Sequence, residues 1–421
     1  MRTLDILWDT CLVGHLDRSG SRDMVFRYAE TYLAGNSPRP VSLSLPMRKE
    51  PFAPAVSRAW FANLLPEGEI RWQVARKLGV SERNDFDILE GIGGECAGAL
   101  RIVPESETHP PDGELVPLTW GELEEAIATR PHASLLALML DNVEMRLSLA
   151  GAQDKLPIHF TEGCLSLPAG TAASTHLLKI ADEAYPDLVQ NELYCLTLAR
   201  QAGLPVPSTW MADTETPILL IERYDRSTEP DGKIRRIHQE DFCQALGMAP
   251  ETKYENEGGP SLEDMFGILG RGSRSPLPDK RNLIRWVLFN FIIGNADAHA
   301  KNVSILFGGP HGEFAPRLAP FYDLVCTRIY GGLATKMAQK IGGEYRPESL
   351  RRRHWERFAE AIGVNFRYLC GVGLDLCKKI EDLADPVREE ISRTRPPTGT
   401  LEEITGVITS RMERLRRDLH D

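Results

Sequence analysis

Between Gly294 and Asn302 the chain reads GNADAHAKN. A carboxylate (Asp297), an imidazole (His299), an ammonium (Lys301) and two carboxamides (Asn295 and Asn302) are gathered there within one short stretch of backbone. Asp297 and Asn302 are five positions apart, and a further acid, Asp323, follows in LAPFYDLV. Phosphoryl transfer asks a protein to orient a hydroxyl, neutralise a triphosphate and hold magnesium. It therefore needs one carboxylate near the nucleophile and oxygen ligands for the metal. Asp297 fits the first role; Asn302 and Asp323 fit the second. A solvated polar loop is the simpler reading of the nine residues alone, and magnesium or calcium binding without chemistry is a third. Zinc fits poorly, because no second His or Cys stands at ligand spacing.

Such a loop needs a rigid mount. Ile284, Val287, Leu288 and Phe291 follow the i, i+3, i+4, i+7 pattern of a buried helix face, and Gly294 is a natural stop. After the loop, VSILF predicts a short strand, a Gly-Gly-Pro turn follows, and FAPRLAPFYDLV predicts a second strand that Asp323 ends. Upstream, VQNELYCLTLARQAGLPVP predicts a helix with Val189, Leu193, Leu196 and Ala199 on one face, a C-cap at Gly203 and Pro205 beyond it. Glu192 lies beside that face, thirteen positions after Lys179 in the strand-like THLLKI. A strand Lys followed by a helix Glu is the pair that orders an ATP-grasping lysine in kinase-like folds; an exposed, structural ion pair is the alternative. PILLIERYDR fits a strand leading into a hinge, where backbone groups from Glu222 to Tyr224 would meet an adenine; an ordinary strand ending in charge is the alternative. Lys179, Glu192, ERYD, Asp297, Asn302 and Asp323 follow one another in the order in which a two-lobed kinase uses such parts.

Composition bounds the rest. A chain of 421 residues is long enough for two or three domains. The formal charge of -11 argues against whole-chain affinity for nucleic acid or an anionic membrane, though a local basic patch stays open. Eight cysteines without a CxxC pair signal neither a zinc site nor a disulfide framework and read as reduced thiols in a cytoplasmic protein. MRTLDILWDT carries acids where a signal peptide needs an apolar core, and LIRWVLFNFIIG is too short for a membrane span and broken by Arg285. The expected blocks are 1–110, strand-like at its ends (LDILWDTCLVGHL as a hairpin, GECAGALRIVP as a closing strand) around helical EIRWQVARKLGV; 111–146, connecting; 147–226, short apolar segments around one helix; and 227–421, mainly helical and ending in LEEITGVITSRMERLRRDL.

Eight stretches together resemble one family: FANLLPEGE (61–69), LSLAGAQDKLPI (147–158), STHLLKI (174–180), QNELYCLTLARQAGLPVP (190–207), LLIERYDR (219–226), HQEDFCQALGMAPETKYENEGGP (238–260), GNADAHAKNVSIL (294–306) and LAPFYDLV (318–325). By these the chain is similar to the HipA family of serine/threonine kinases, the toxin half of bacterial HipBA-type toxin–antitoxin modules. The resemblance implies an α+β, two-lobed, protein-kinase-like (HipA-like) fold, with a β-rich N-terminal subdomain in 1–110, the ATP-binding part of the N-lobe in 147–226 and a helical catalytic C-lobe in 227–421. It implies ATP and Mg2+ as cofactors, Lys179 on the ATP phosphates with Glu192 ordering it, and hinge contacts at Glu222 and Tyr224. Asp297 would be the catalytic base, Asn302 and Asp323 the magnesium ligands, and His299 a support for the loop or the phosphates. Lys155, in AGAQDK, would lie over the nucleotide in a segment that replaces the kinase Gly-rich loop, where Gly151 between Ala150 and Ala152 permits close backbone approach. Ser148 matches the serine that the family autophosphorylates. The implied partners are a HipB-like helix-turn-helix antitoxin, operator DNA only through that antitoxin, and a protein substrate in translation such as an aminoacyl-tRNA synthetase; no membrane is implied. Two other functions stay open. A small-molecule phosphotransferase shares the Asp-to-Asn spacing but is not expected to carry the NLLPE domain or the AGAQDK loop. A non-catalytic module that joins an antitoxin as co-repressor is the other.

Overall fold

The computed structural model describes residues 2–19, 23–107, 113–129, 134–139, 153–180, 184–308, 316–394 and 399–420. The chain forms two compact units. The first comprises Met1–Ile180, Ala212–Glu251 and Leu306–Phe314; the second comprises Ala181–Met211, Thr252–Ile305 and Ala315–Asp421.

In the first unit a four-stranded antiparallel sheet runs in the order Asp23–Tyr28, Cys11–Ser19, Thr3–Trp8, Leu100–Pro104. The predicted hairpin is there: Trp8 pairs with Cys11 across a two-residue connection, and Asp9 takes the left-handed φ of +53° that so short a turn demands. The closing strand is Leu100–Pro104, and it pairs with Thr3–Trp8. Phe26, on the inner face, packs on Phe52 and Phe61, the latter from the helix Pro54–Phe61, so sheet and helix share one aromatic core.

A second antiparallel sheet in this unit orders Glu114–Leu118, Cys164–Ala169, Lys155–Thr161, His176–Ile180 and Ile218–Glu222. The segment 111–146, expected only to connect, thus supplies a strand to the sheet and also the helix Trp120–Thr129. None of its ELVPL residues is fully buried, as suits an edge strand, and Pro117 is tolerated there because an edge leaves one row of N–H groups unneeded. The block expected to be mainly helical opens instead with short strands at Arg226–Thr228, Ile234–Arg236 and His238–Asp241.

The second unit is helical. Its centre is Pro276–Ile293, in which every residue from Leu283 to Ile293 is buried. The predicted stripe of Ile284, Val287, Leu288 and Phe291 is therefore one side of a helix covered all round. The helices Leu262–Gly272, Phe366–Thr394 and Thr400–Leu419 pack against it. Leu188–Gln201, the helix predicted around Glu192, lies against the last two of these. It ends at Ala202 with Gly203 at φ +87°, and the buried Arg285 guanidinium donates to the carbonyls of Ala202 and Gly203 at 2.6 Å each, satisfying the orphaned end of the helix.

Candidate active site

The loop that follows Pro276–Ile293 starts at Gly294, whose φ of +72° ends the helix as the sequence predicts. Asn295 then acts as a bracket. Its Nδ2 donates to Asn290 Oδ1 at 2.8 Å and to the Asp323 carbonyl at 3.3 Å, while its Oδ1 accepts from the Asp297 N–H at 3.0 Å. The Asp297 carbonyl in turn accepts from the His299 N–H at 2.8 Å and from Asn302 Nδ2 at 2.9 Å. Thr327 Oγ1 accepts from the Ala296 N–H, and Tyr322 Oη donates to the Lys301 carbonyl, so both flanks of the loop are tied down. Asp297, Asn302 and Asp323 are thus joined by one set of hydrogen bonds whose other members are backbone groups and carboxamides. The Asp297 side chain remains 52% exposed.

Asp323 does not end a strand. The second strand is only Pro316–Leu318, and Asp323 lies beyond it in irregular backbone at φ +52°. Pro320 has no N–H to continue a ladder, which is why the strand stops short. A left-handed φ is costly for a non-glycine residue, and the hydrogen bond from Asn295 to its carbonyl helps to hold it. Asn302 spends its Nδ2 on the Asp297 carbonyl. Carboxamide and carboxylate oxygens such as those of Asn302 and Asp323 are of the hard kind that magnesium takes, a metal that completes its shell with water and phosphate. Among the described residues no group of three or more His, Cys, Asp or Glu is placed to hold a metal by protein ligands alone. His299 is buried, with Nε2 4.0 Å from Asp297 Oδ2, too far for a direct hydrogen bond.

The first unit holds the residues assigned to the nucleotide. Lys155 and Lys179 are direct cross-strand partners on the antiparallel strands Lys155–Thr161 and His176–Ile180. Directly opposed residues project from the same face of a sheet. Lys179 and, in the other unit, Glu192 are both buried. Glu222 ends the strand Ile218–Glu222. In the hinge segment the Arg223 N–H donates to the Thr175 carbonyl and the Arg223 carbonyl accepts from Arg226, so an adenine contact there would fall to Glu222 and Tyr224. The Tyr224 phenol donates to Gln239 Oε1 at 2.6 Å.

The segment from Arg223 to Arg226 takes part in a buried ionic cluster that sequence reading missed. Arg223 pairs with Asp225 at 2.7 Å and with Glu95 at 3.2 Å; Arg226 and Arg236 reach Glu95 at 2.7 and 2.6 Å. Burial alone would raise the Glu95 carboxyl, but the three guanidinium groups outweigh it and hold the carboxyl well below the usual carboxylate range. Sequence reading also missed Asn191, Thr327 and Tyr254, and gave Asn295 no role of its own. Asn191, fully buried, accepts from the Cys326 N–H at 2.8 Å and donates to the Cys326 carbonyl at 3.0 Å, clamping the segment just after Asp323. The available signal was a carboxamide inside a helix that is otherwise apolar on that side. Tyr254, in the quoted stretch 238–260, donates to Asp297 Oδ1 at 2.6 Å. Burial pushes the neighbouring Cys326 thiol up to about 11 and Cys195 up as well, so neither is a thiolate nucleophile at neutral pH. Ser148, Ala150, Gly151 and Ala152 lie outside the described residues.

Comparison with known proteins finds relatives over almost the whole chain. The HipA N-terminal domain matches residues 4–103 and the HipA-like C-terminal domain matches residues 147–393. The Sinorhizobium fredii protein Y4mE is 40% identical over 95% of this chain and 94% of its own length. The serine/threonine-protein kinase toxin HipA of Shewanella oneidensis is 30% identical over 86% of this chain and 84% of its own. Among solved structures, the Shewanella oneidensis complex of HipA, HipB and operator DNA superposes with a TM-score of 0.81 at 26% identity, covering 99% of this chain and 96% of that one. The expected fold, α+β and two-lobed with a β-rich N-terminal region and a helical C-terminal part, is the one found. Matched by both domains of the family and by a relative of that name over most of its length, this chain belongs to the HipA family.

Proposed function

We propose that this chain is an ATP- and magnesium-dependent serine/threonine-protein kinase of the toxin type. The observation that carries the reading is the loop from Gly294 to Asn302, in which Asn302 Nδ2 closes on the Asp297 carbonyl while the Asp297 carboxylate stays half-exposed. In the reaction an acceptor hydroxyl gives its proton to Asp297 as its oxygen bonds to the γ-phosphorus, and the bond to the bridging oxygen breaks to release ADP. Lys155 and Lys179 neutralise the phosphates, Glu192 orders Lys179, and Glu222 and Tyr224 meet the adenine. His299 supports the loop. Magnesium, when bound, neutralises charge on the transferring group, and Asn302 and Asp323 would hold it.

The solved complex of the Shewanella relative supports a HipB-like antitoxin as partner, with operator DNA reached through it, since this chain carries a net charge of -11. That no helix among the described residues is long and apolar enough to cross a membrane is consistent with a cytoplasmic site of action. The acceptor proposed from family resemblance is a protein of translation such as an aminoacyl-tRNA synthetase. Self-inactivation at Ser148 is part of the same reading. A phosphoserine adds roughly -1.5 to -2 charges, a poor neighbour for a triphosphate, so Ser148→Ala should stay unmodified at that position after incubation with ATP and active for longer.

The test is magnesium-dependent ATP turnover by the purified chain and by Asp297→Asn. The variant should bind ATP much as the parent does and lose about two to four orders of magnitude in turnover. Full activity in Asp297→Asn would overturn the reading.

A further inference from the structure

The catalytic carboxylate proposed above has a neighbour to which that reading gives no work. Tyr254 stands forty-three residues before Asp297, and its phenol donates to Asp297 Oδ1 at 2.6 Å. Its ring meets the His299 ring edge-on, with centroids 5.3 Å apart and planes at 81°. The backbone around it is tied down: the carbonyl of Tyr254 accepts from the N–H groups of Glu257 and Gly259 at 3.0 Å each. The next residue joins it to the loop it serves. The Glu255 N–H donates to the Ala338 carbonyl at 3.2 Å, and the Ala338 N–H donates to the Ala296 carbonyl at 2.9 Å, one residue before Asp297. Glu255 also pairs with Lys340, accepting from its N–H and its Nζ at 2.8 Å each. Phenol and carboxylate are therefore held on one framework.

We infer that Tyr254 is a positioning residue for the Asp297 carboxylate, holding Oδ1 so that Oδ2 is the oxygen turned to the acceptor hydroxyl. The inference rests on the kinase reading. A carboxylate on a half-exposed side chain rotates about its last torsion at little cost, and a general base is effective only when its accepting oxygen is aligned with the proton it takes. A fixed donor on one oxygen removes that freedom. His299 does not, since its Nε2 is 4.0 Å from Oδ2; it serves instead as a surface against which the Tyr254 ring is set. The shared framework argues against the opposite role, a phenol that occupies the acceptor's place and must leave before each turnover.

The experiment uses the full-length chain with Mg·ATP, measuring ADP formation for the parent, Tyr254→Phe, Asp297→Asn and the double variant. Tyr254→Phe keeps the ring against His299 and should unfold at a temperature close to that of the parent. Its kcat should fall roughly 10- to 100-fold, with KM for ATP within about twofold, because alignment of the base is lost while nucleotide binding is not. Adding Tyr254→Phe to Asp297→Asn should cost nothing further, since the phenol acts through that carboxylate. A Tyr254→Phe variant as active as the parent or more so, or a loss that adds in full to that of Asp297→Asn, overturns the inference. If the parent turns over and Asp297→Asn does not, failure at Tyr254 leaves the kinase reading standing. If the parent forms no ADP at all, the kinase reading falls and the inference with it.

Discussion

Asp297 and Asp323 are both acids of the same short region, yet the structure gives them different surroundings and so different consequences when altered. Asp297 is held by its backbone and by Tyr254. Asp323 sits at φ +52° with its carbonyl bonded to Asn295. Asp323→Asn keeps the shape and tolerates the left-handed backbone, so the fold should survive. What it removes is the anionic ligand proposed for magnesium. Magnesium-dependent nucleotide binding, measured by calorimetry at fixed ATP with increasing magnesium, should weaken by about tenfold or more, while metal-free nucleotide binding should be unchanged. Equal magnesium dependence in parent and variant would remove Asp323 from the metal site.

At the scale of elements, the site is a loop hung from the end of one helix, and the hinge point is Gly294. A side chain there would be wrong twice over: φ is +72°, and a Cβ would lie 2.9 Å from Val407 Cγ1 and 3.1 Å from Arg328 Cβ. The Gly294 carbonyl also accepts from Arg328 and Thr327, so the backbone cannot shift without releasing both. Gly294→Ala should cost about 1–3 kcal/mol in stability. It should lower turnover further than a stability loss of that size explains, because the same shift displaces Asn295 and Asp297. Thermal unfolding and ADP formation on the same preparation separate the two effects. An Ala variant with parental turnover would show that the loop is mounted elsewhere.

For the whole molecule, stability is set partly by carboxyl groups that sequence reading never singled out. Glu240 is fully buried and accepts from Ser42 Oγ, the Leu43 N–H and Trp60 Nε1. Burial pushes it up to about 7 in spite of those donors. The folded chain therefore keeps a proton that the unfolded chain gives up near 4.5. Stability contributed by this group is full below that pH and is lost as pH rises to about 7, by about 3 kcal/mol in total. Glu240→Gln, which cannot ionise, should flatten the fall in unfolding temperature between those pH values. An unchanged slope would mean that Glu240 is ionised throughout. Glu95 acts in the opposite sense, because the arginines that hold it below the usual range make its contribution present above the unfolded value and lost on acidification.

The sequence by itself determined what is local. The helix before the loop, its stop at Gly294, the hairpin at Asp9 and the five-residue step from Asp297 to Asn302 depend on residues a few positions apart, and backbone geometry at that range follows from side-chain type. The family motifs are legible for the same reason, being short runs in fixed order. Tertiary structure alone decided which distant groups meet. Lys155 and Lys179 were read as two separate contacts, and only strand register makes them direct partners. The expected strand up to Asp323 fell to Pro320, and part of the segment read as a connector pairs with Cys164–Ala169 as the edge of a sheet. Tyr254 reaches Asp297, and Asn191 reaches Cys326, across long stretches of chain. A polar residue states that it needs a partner when buried but not which one; that choice belongs to packing, which a single sequence does not display.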